Sequence, residues 1–171
     1  MKFGNIFSYL KLKPKKLNYV KGDLIRDRKD FDIIIHGCNC FCMMGAGIAA
    51  QVARVIPEAY EVDKKTEKGD GSKLGGYSAV LVDDVTIINA YTQYHGGANY
   101  DYSAIRSAMR KIAEDFDKGQ IVGLPKIGAG IAGGDWNVIE SIIAEELKDF
   151  DVTVVIWEGD KKEIANHQKD F

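Results

Sequence analysis

An imidazole, an amide and three thiols crowd into seven residues, as His36, Cys38, Asn39, Cys40 and Cys42. They follow the apolar run Ile33-Ile34-Ile35 and precede Met43-Met44-Gly45-Ala46-Gly47-Ile48, where a glycine turn opens onto a helical pattern. Metal binding is the first chemistry to test, because His36, Cys38, Cys40 and Cys42 alternate. Alternate residues of an extended strand stand about 6.6 Å apart, too far to close on one ion unless the chain folds over. Small buried thiols, and no metal, are the expectation. A cysteine phosphatase needs a guanidinium on the sixth residue after its nucleophile, and those residues here are Met44, Ala46 and Ile48.

What remains is anion binding by the main chain. A strand tip that runs through a glycine turn into a helix presents free N–H groups and the positive end of the helix dipole. The same design recurs at Ile121-Val122-Gly123-Leu124-Pro125-Lys126-Ile127-Gly128-Ala129-Gly130-Ile131-Ala132-Gly133-Gly134-Asp135-Trp136. Two such loops fit one extended, phosphate-bearing ligand that is bound rather than split at its diphosphate. Gly128-x-Gly130-x-x-Gly133 also matches the dinucleotide fingerprint, but it comes too late in the chain to leave room for the rest of a Rossmann half and a substrate domain. No Gly-x-x-x-x-Gly-Lys-Ser/Thr occurs, which removes the P-loop reading.

The elements that must position these loops alternate along the chain. Strands are expected over Leu17–Val20, Asp32–Asn39, Tyr77–Val82, Thr86–Thr92, Ile121–Ile127 and Asp151–Trp157, with Asp83-Asp84 as a tight hairpin turn. Ile48, Val52, Val55 and Ile56 mark a helix up to Pro57, and a polar helix follows over Glu58–Glu67. Tyr102, Ile105, Met109, Ile112, Ala113 and Phe116 form the stripe of a helix capped by Asp101; Trp136, Ile139, Ile142, Ile143 and Leu147 form that of a helix capped by Asp135. The pattern predicts a three-layer α/β/α domain with a mixed, mostly buried central sheet.

Length and composition agree. The 171 residues, 46% hydrophobic and 28% charged, suffice for one domain with a real core about 17–158, flanked by an N-terminal segment 1–16 and a polar tail 159–171. A net charge of −2 gives no global field for a nucleic-acid backbone, and the local cluster Lys11, Lys13, Lys15 and Lys16 reads as a solvated segment. Neither a membrane-spanning run nor a signal peptide is legible, and three closely spaced cysteines do not make a secreted disulfide framework. A soluble, intracellular and cytoplasmic protein is expected, with neither a membrane partner nor a strong nucleic-acid signal.

Four motifs in fixed order carry a resemblance. Lys21-Gly22-Asp23-Leu24-Ile25, Ile35-His36-Gly37-Cys38-Asn39, Met44-Gly45-Ala46-Gly47-Ile48-Ala49 and Pro125-Lys126-Ile127-Gly128-Ala129-Gly130-Ile131 resemble the macrodomain family of ADP-ribose-binding modules, over roughly Leu17 to Trp157. The resemblance implies that Asp23, beside Leu24, accepts a hydrogen bond from the adenine amino group and that Asn39 contacts the distal ribose. It implies that Gly45, Ala46, Gly47 and Ile48 line one side of the diphosphate and ribose. Gly128, Ala129, Gly130, Ile131 and Ala132, following Pro125, would wrap the other side. Trp157 would border the adenine or serve as a core or rim aromatic. Within the family, His36-x-Cys38-Asn39-Cys40 with Gly130-Ile131 and Trp136 looks most like the fungal ADP-ribose-1″-phosphate phosphatases. The terminal ADP-ribose protein glycohydrolases share the Met44–Ala49 motif, but their lysine and aspartate align here with Gln93 and Ala132. The expectation is therefore a protein that binds ADP-ribose and removes the terminal phosphate of ADP-ribose-1″-phosphate, with His36 as the candidate catalyst, His95 as a second candidate, and neither metal nor cofactor. Two alternatives stay open: a non-catalytic reader of ADP-ribose, and a hydrolase acting on ADP-ribosylated macromolecules.

Overall fold

Strand β2 (Ile33–Asn39) lies inside a six-stranded sheet, and Ile33, Ile34 and Ile35 are wholly buried because both faces of the sheet are covered there. The computed structural model describes residues 16–158. The basic residues Lys11, Lys13 and Lys15 and the tail 159–171 fall outside the described residues. The other strands are β1 (Asn18–Gly22), β3 (Tyr77–Val82), β4 (Val85–Gln93), β5 (Ile121–Leu124) and β6 (Asp151–Trp157), in the order β1-β6-β5-β2-β4-β3. Every neighbouring pair is parallel except β3 with β4. That pair is a hairpin whose turn residues, Asp83 at φ +49° and Asp84 at φ +65°, take the left-handed conformation that a two-residue hairpin demands.

Helices α1 (Gly47–Val55) and α2 (Pro57–Lys64) cover one face, where Val52, Ile56 and Ala59 pack on Ile34, Ile87 and Val155. Helices α3 (Tyr102–Asp115) and α4 (Trp136–Glu146) cover the other, where Ile105, Met109, Ile112, Ile139 and Ile143 pack on Ile33, Ile35, Ile88, Val122 and Val154. The alternation along β2, odd isoleucines to one core and Ile34 to the other, is the period-2 rule with both faces dry. The three-layer expectation holds.

Two boundaries depart from the sequence reading by three residues, the others by two at most. Strand β5 stops at Leu124 rather than Ile127, since Pro125 has no N–H to pair and the Ile127 N–H turns back to the Pro125 carbonyl at 2.7 Å. Helix α2 ends at Lys64 rather than Glu67, because the Asp63 carbonyl accepts from both the N–H (3.0 Å) and the hydroxyl (2.6 Å) of Thr66. The first matters for the site. Strands β2 and β5 pair only as Ile33 with Val122 and Ile34 with Gly123. Beyond that point β2 stays paired with β4 but has no partner on its β5 side, leaving an opening at the carboxyl edge of the sheet.

Candidate functional site

The carboxyl ends of the five mutually parallel strands lie at one edge of the sheet. The loop after β2 enters α1 through Gly45 and Ala46, and α1 has no side-chain cap: Ala46 takes the N-cap position in extended conformation. The N–H groups of Gly45, Ala46, Gly47, Ile48 and Ala49 make no hydrogen bond among the described residues. The loop after β5 behaves in the same way. Its own turns occupy the N–H groups of Ala129 (to Lys126, 3.2 Å), Gly133 (to Gly130, 3.0 Å) and Gly134 (to Gly128, 2.8 Å). Those of Gly128, Gly130, Ile131 and Ala132 have no partner among the described residues.

The two loops meet. A Cβ placed on Gly47 would lie 3.7 Å from Ile131 Cδ1. Gly45 and Gly130 have nothing of the described residues within 4 Å of such an atom. Gly128 at φ +73° and the tight approach of Gly134, whose Cβ would stand 2.7 Å from the Gly128 carbonyl, explain why this loop must be glycine-rich. The arrangement suits an anion: main-chain donors, a helix dipole and few charged side chains.

Around this cradle the structure places the remaining expected residues. Asn39 holds the turn after β2, its Nδ2 donating to the Met43 carbonyl (3.0 Å) and its Oδ1 accepting from the Phe41 N–H (2.9 Å). Gly96 comes within 3.9 Å of Asn39 Nδ2, measured from where its Cβ would be, so the loop after β4 meets the loop after β2. Asp23 makes an Asx-turn, its Oδ1 accepting from the N–H groups of Ile25 and Arg26 at 3.0 Å each. Trp157 pairs in register with Gly22 and stands exposed at the same corner. Leu24 is 4% exposed and belongs to the core, so its side chain is not open to a ligand. Pro125 is half-buried where β5 ends.

His36 requires a correction. It is 0% exposed, and its Nε2 lies 2.7 Å from Asn89 Oδ1. Asn89 in turn donates through Nδ2 to the Ala59 carbonyl of α2 (2.8 Å) and to Ser78 Oγ (3.0 Å). Because Nδ2 faces two acceptors, Oδ1 must face His36, which makes Nε2 the protonated nitrogen. Burial pushes the imidazole pKa down to about 4, only partly offset by the Asn89 bond. His36 is a neutral core residue beneath α2, not a group presented to a ligand. His95 is the exposed imidazole among the described residues.

Sequence reasoning overlooked the support of that loop. Gln93 Nε2 donates to the carbonyl of His95 at 2.8 Å, and the Tyr94 hydroxyl donates to the Gly69 carbonyl at 3.0 Å. The paired glycines Gly96-Gly97 just past a strand end were the available signal. Thr92 is skipped in the pairing of β4 with β2, and its Oγ1 would lie 2.9 Å from a Cβ on Gly37, which therefore has to be glycine. Among the described residues no group of three or more His, Cys, Asp or Glu is placed to hold a metal ion, and no helix is long and apolar enough to cross a membrane. Two hollows elsewhere, about 510 Å3 beside Tyr102, Arg106 and Ile142 and about 590 Å3 beside Asp32, Asp83 and Asp84, include no residue of the amide rows.

Comparison with known proteins decides the family. The Macro domain model matches residues 35–143, which contain both amide rows. This chain belongs to the Macro domain family. An uncharacterized 17.5 kDa protein of Enterobacteria phage T4, from the tk-vs intergenic region, is similar to this macrodomain, with 36% identity over 151 residues, covering 83% of this chain and 97% of the phage protein. An ADP-ribose 1″-phosphate phosphatase of Candida glabrata is 28% identical over 173 residues, covering 81% of the macrodomain and 97% of the relative. The solved macrodomain of Mycobacterium tuberculosis DarG superposes with a TM-score of 0.66 at 25% identity, covering 84% of this chain and 98% of that one.

Proposed function

We propose that this macrodomain binds ADP-ribose with its diphosphate between the two amide rows and removes the terminal phosphate of ADP-ribose-1″-phosphate. The observation that carries the binding is that the loops of Gly47 and Ile131 meet, each with a row of main-chain donors that make no hydrogen bond among the described residues. Gly45, Ala46, Gly47, Gly130 and Ile131 are exposed, so their N–H groups are open to a ligand, and a diphosphate supplies acceptors for both rows. In this reading the adenine lies at the corner of Asp23 and Trp157. The distal ribose lies at Asn39, where the loop of Gly96 closes in. That geometry and the relatives named ADP-ribose 1″-phosphate phosphatase support the assignment.

Hydrolysis breaks the bond between phosphorus and the 1″ oxygen, with water adding to phosphorus and a proton passing to the leaving ribose oxygen. His95, exposed on the loop that meets Asn39, is the group assigned to that proton transfer. The burial of His36 favours a second reading, in which a site so poor in charged groups only reads ADP-ribose. Titration calorimetry with ADP-ribose, followed by phosphate release from ADP-ribose-1″-phosphate, separates the two. Saturable binding with release that His95→Ala abolishes supports the phosphatase. Binding without release supports the reader, and no binding removes both.

A further inference from the structure

One of the three clustered thiols, none of which the proposed function uses, has a neighbour able to react with it. Cys38 and Cys40 are buried, whereas Cys42 is partly open to solvent. Its backbone sits at φ +53°, which a residue with a side chain adopts only where its surroundings hold it. Those surroundings are polar. The Cys42 thiol lies 3.3 Å from the Asp63 carbonyl and 3.5 Å from Thr66 Oγ1. Lys73 Nζ stands 3.5 Å from Cys42 Sγ and 2.7 Å from Thr66 Oγ1, over the face of Tyr91 at 4.9 Å from the ring centroid. The Tyr91 hydroxyl donates to Asp63 Oδ1 at 2.8 Å. Asp63 Oδ2, in a residue 1% exposed, has no partner among the described residues. Moving Lys73 from Thr66 onto Cys42 gives up one contact, and the Thr66 hydroxyl keeps its donation to the Asp63 carbonyl at 2.6 Å.

We propose that Cys42 and Lys73 form a sulfur–nitrogen crosslink when the protein meets a peroxide. First the thiol attacks hydrogen peroxide. A sulfur–oxygen bond forms as the oxygen–oxygen bond breaks, the thiol is oxidised to a sulfenic acid, and the peroxide is reduced to water. The Lys73 amine then attacks sulfur. A sulfur–nitrogen bond forms, the sulfur–oxygen bond breaks, and the hydroxyl leaves as water with a proton from nitrogen. In sum, one thiol, one ammonium and one peroxide become one sulfenamide, two waters and one proton. The other thiols face other partners: Cys40 Sγ lies 3.8 Å from the Gln93 carbonyl and Cys38 Sγ lies 3.7 Å from His36 Nδ1.

The crosslink reaches the crevice through the main chain. Cys42 belongs to the turn that leads to Gly45, and the loop bearing Lys73 is already tied to that turn by the Gly69 N–H to the Cys40 carbonyl at 2.8 Å. Clamping Cys42 to Lys73 therefore pulls on the first amide row, a consequence that rests on the proposed function.

The test is peroxide treatment of the full chain, digestion and mass spectrometry. The expected product joins the peptides of Cys42 and Lys73 with the loss of two hydrogen atoms, is reversed by dithiothreitol, and is absent in Lys73→Arg, which instead gains oxygen on Cys42. Wild-type protein that shows only oxygen added to Cys42, a disulfide between cysteines, or an untouched Cys42 overturns the proposal. Titration of the oxidised and reduced forms with ADP-ribose reads the coupling separately, so a protein that binds no ADP-ribose leaves the crosslink result standing.

Discussion

Helices α1 and α4 both start at the carboxyl edge of the sheet, and they start differently. Asp135 closes α4, its carboxylate accepting from the Asn137 N–H at 2.9 Å, much as Asp101 closes α3 by accepting from the Ala104 N–H at 2.9 Å. Alanine stands at the same place in α1, and its first-turn N–H groups are left open. A capping side chain contributes about 1 kcal/mol to a helix. The comparison teaches that α1 forgoes this stabilisation where a ligand can supply the acceptors instead, while α3 and α4, whose termini serve the fold, do not.

The contrast can be broken from the α1 side with the largest effect. Ala46→Asp gives α1 its own cap and puts a carboxylate where the diphosphate is proposed to lie. ADP-ribose affinity should fall on the order of 100-fold, by calorimetry, while the melting temperature holds or rises. Unchanged affinity would place the cradle elsewhere.

Next in size is His36→Ala, which leaves Asn89 Oδ1 unpaired in the core and should cost about 1–3 kcal/mol in urea denaturation. The pH dependence of stability is a sharper readout. With a folded pKa near 4 against 6.5 unfolded, the unfolded chain binds more protons between those values. Stability from this group is thus full above about pH 6.5 and is lost as pH falls toward 4. The His36→Ala variant should lose that slope; an unchanged slope would mean the imidazole is not buried neutral.

A smaller change tests α4. Asp135→Ala should lower stability by about 1 kcal/mol and leave ADP-ribose affinity within about twofold, the reverse of the Ala46→Asp pattern. Smallest of all, Gly130→Ala meets no atom within 4 Å and should shift stability by less than about 0.5 kcal/mol. A large thermal shift there would show that the loop is packed, not open.

Where sequence reading succeeded, a side chain announced the structure. Asp101 and Asp135 stand just before apolar stripes, so both caps were legible. Asp83-Asp84 marked the hairpin, and Gly45, Gly47, Gly128 and Gly130 marked the loops. The failures are tertiary. His36 is the middle residue of β2, and the arrival of α2, through the Ala59 carbonyl and Asn89, encloses its side chain. The end of β5 depended on whether Ile127 pairs with a neighbouring strand or folds back on Pro125. The three thiols resemble a ligand set along the chain, yet each faces a different partner: Cys38 the His36 ring, Cys40 the Gln93 carbonyl and Cys42 the Lys73 ammonium.

The donors of the amide rows are peptide groups, and this makes the site invisible to one standard way of looking. Alanine scanning deletes side chains, and along Gly45–Ile48 and Gly128–Ala132 there is almost nothing to delete. Such a scan should come back nearly blank along the two amide rows proposed to hold the diphosphate. Removing an individual donor takes proline, which has no N–H, or an ester in place of the amide. A lineage could therefore change most side chains around this crevice and keep its grip, provided the chain still bends at the same glycines.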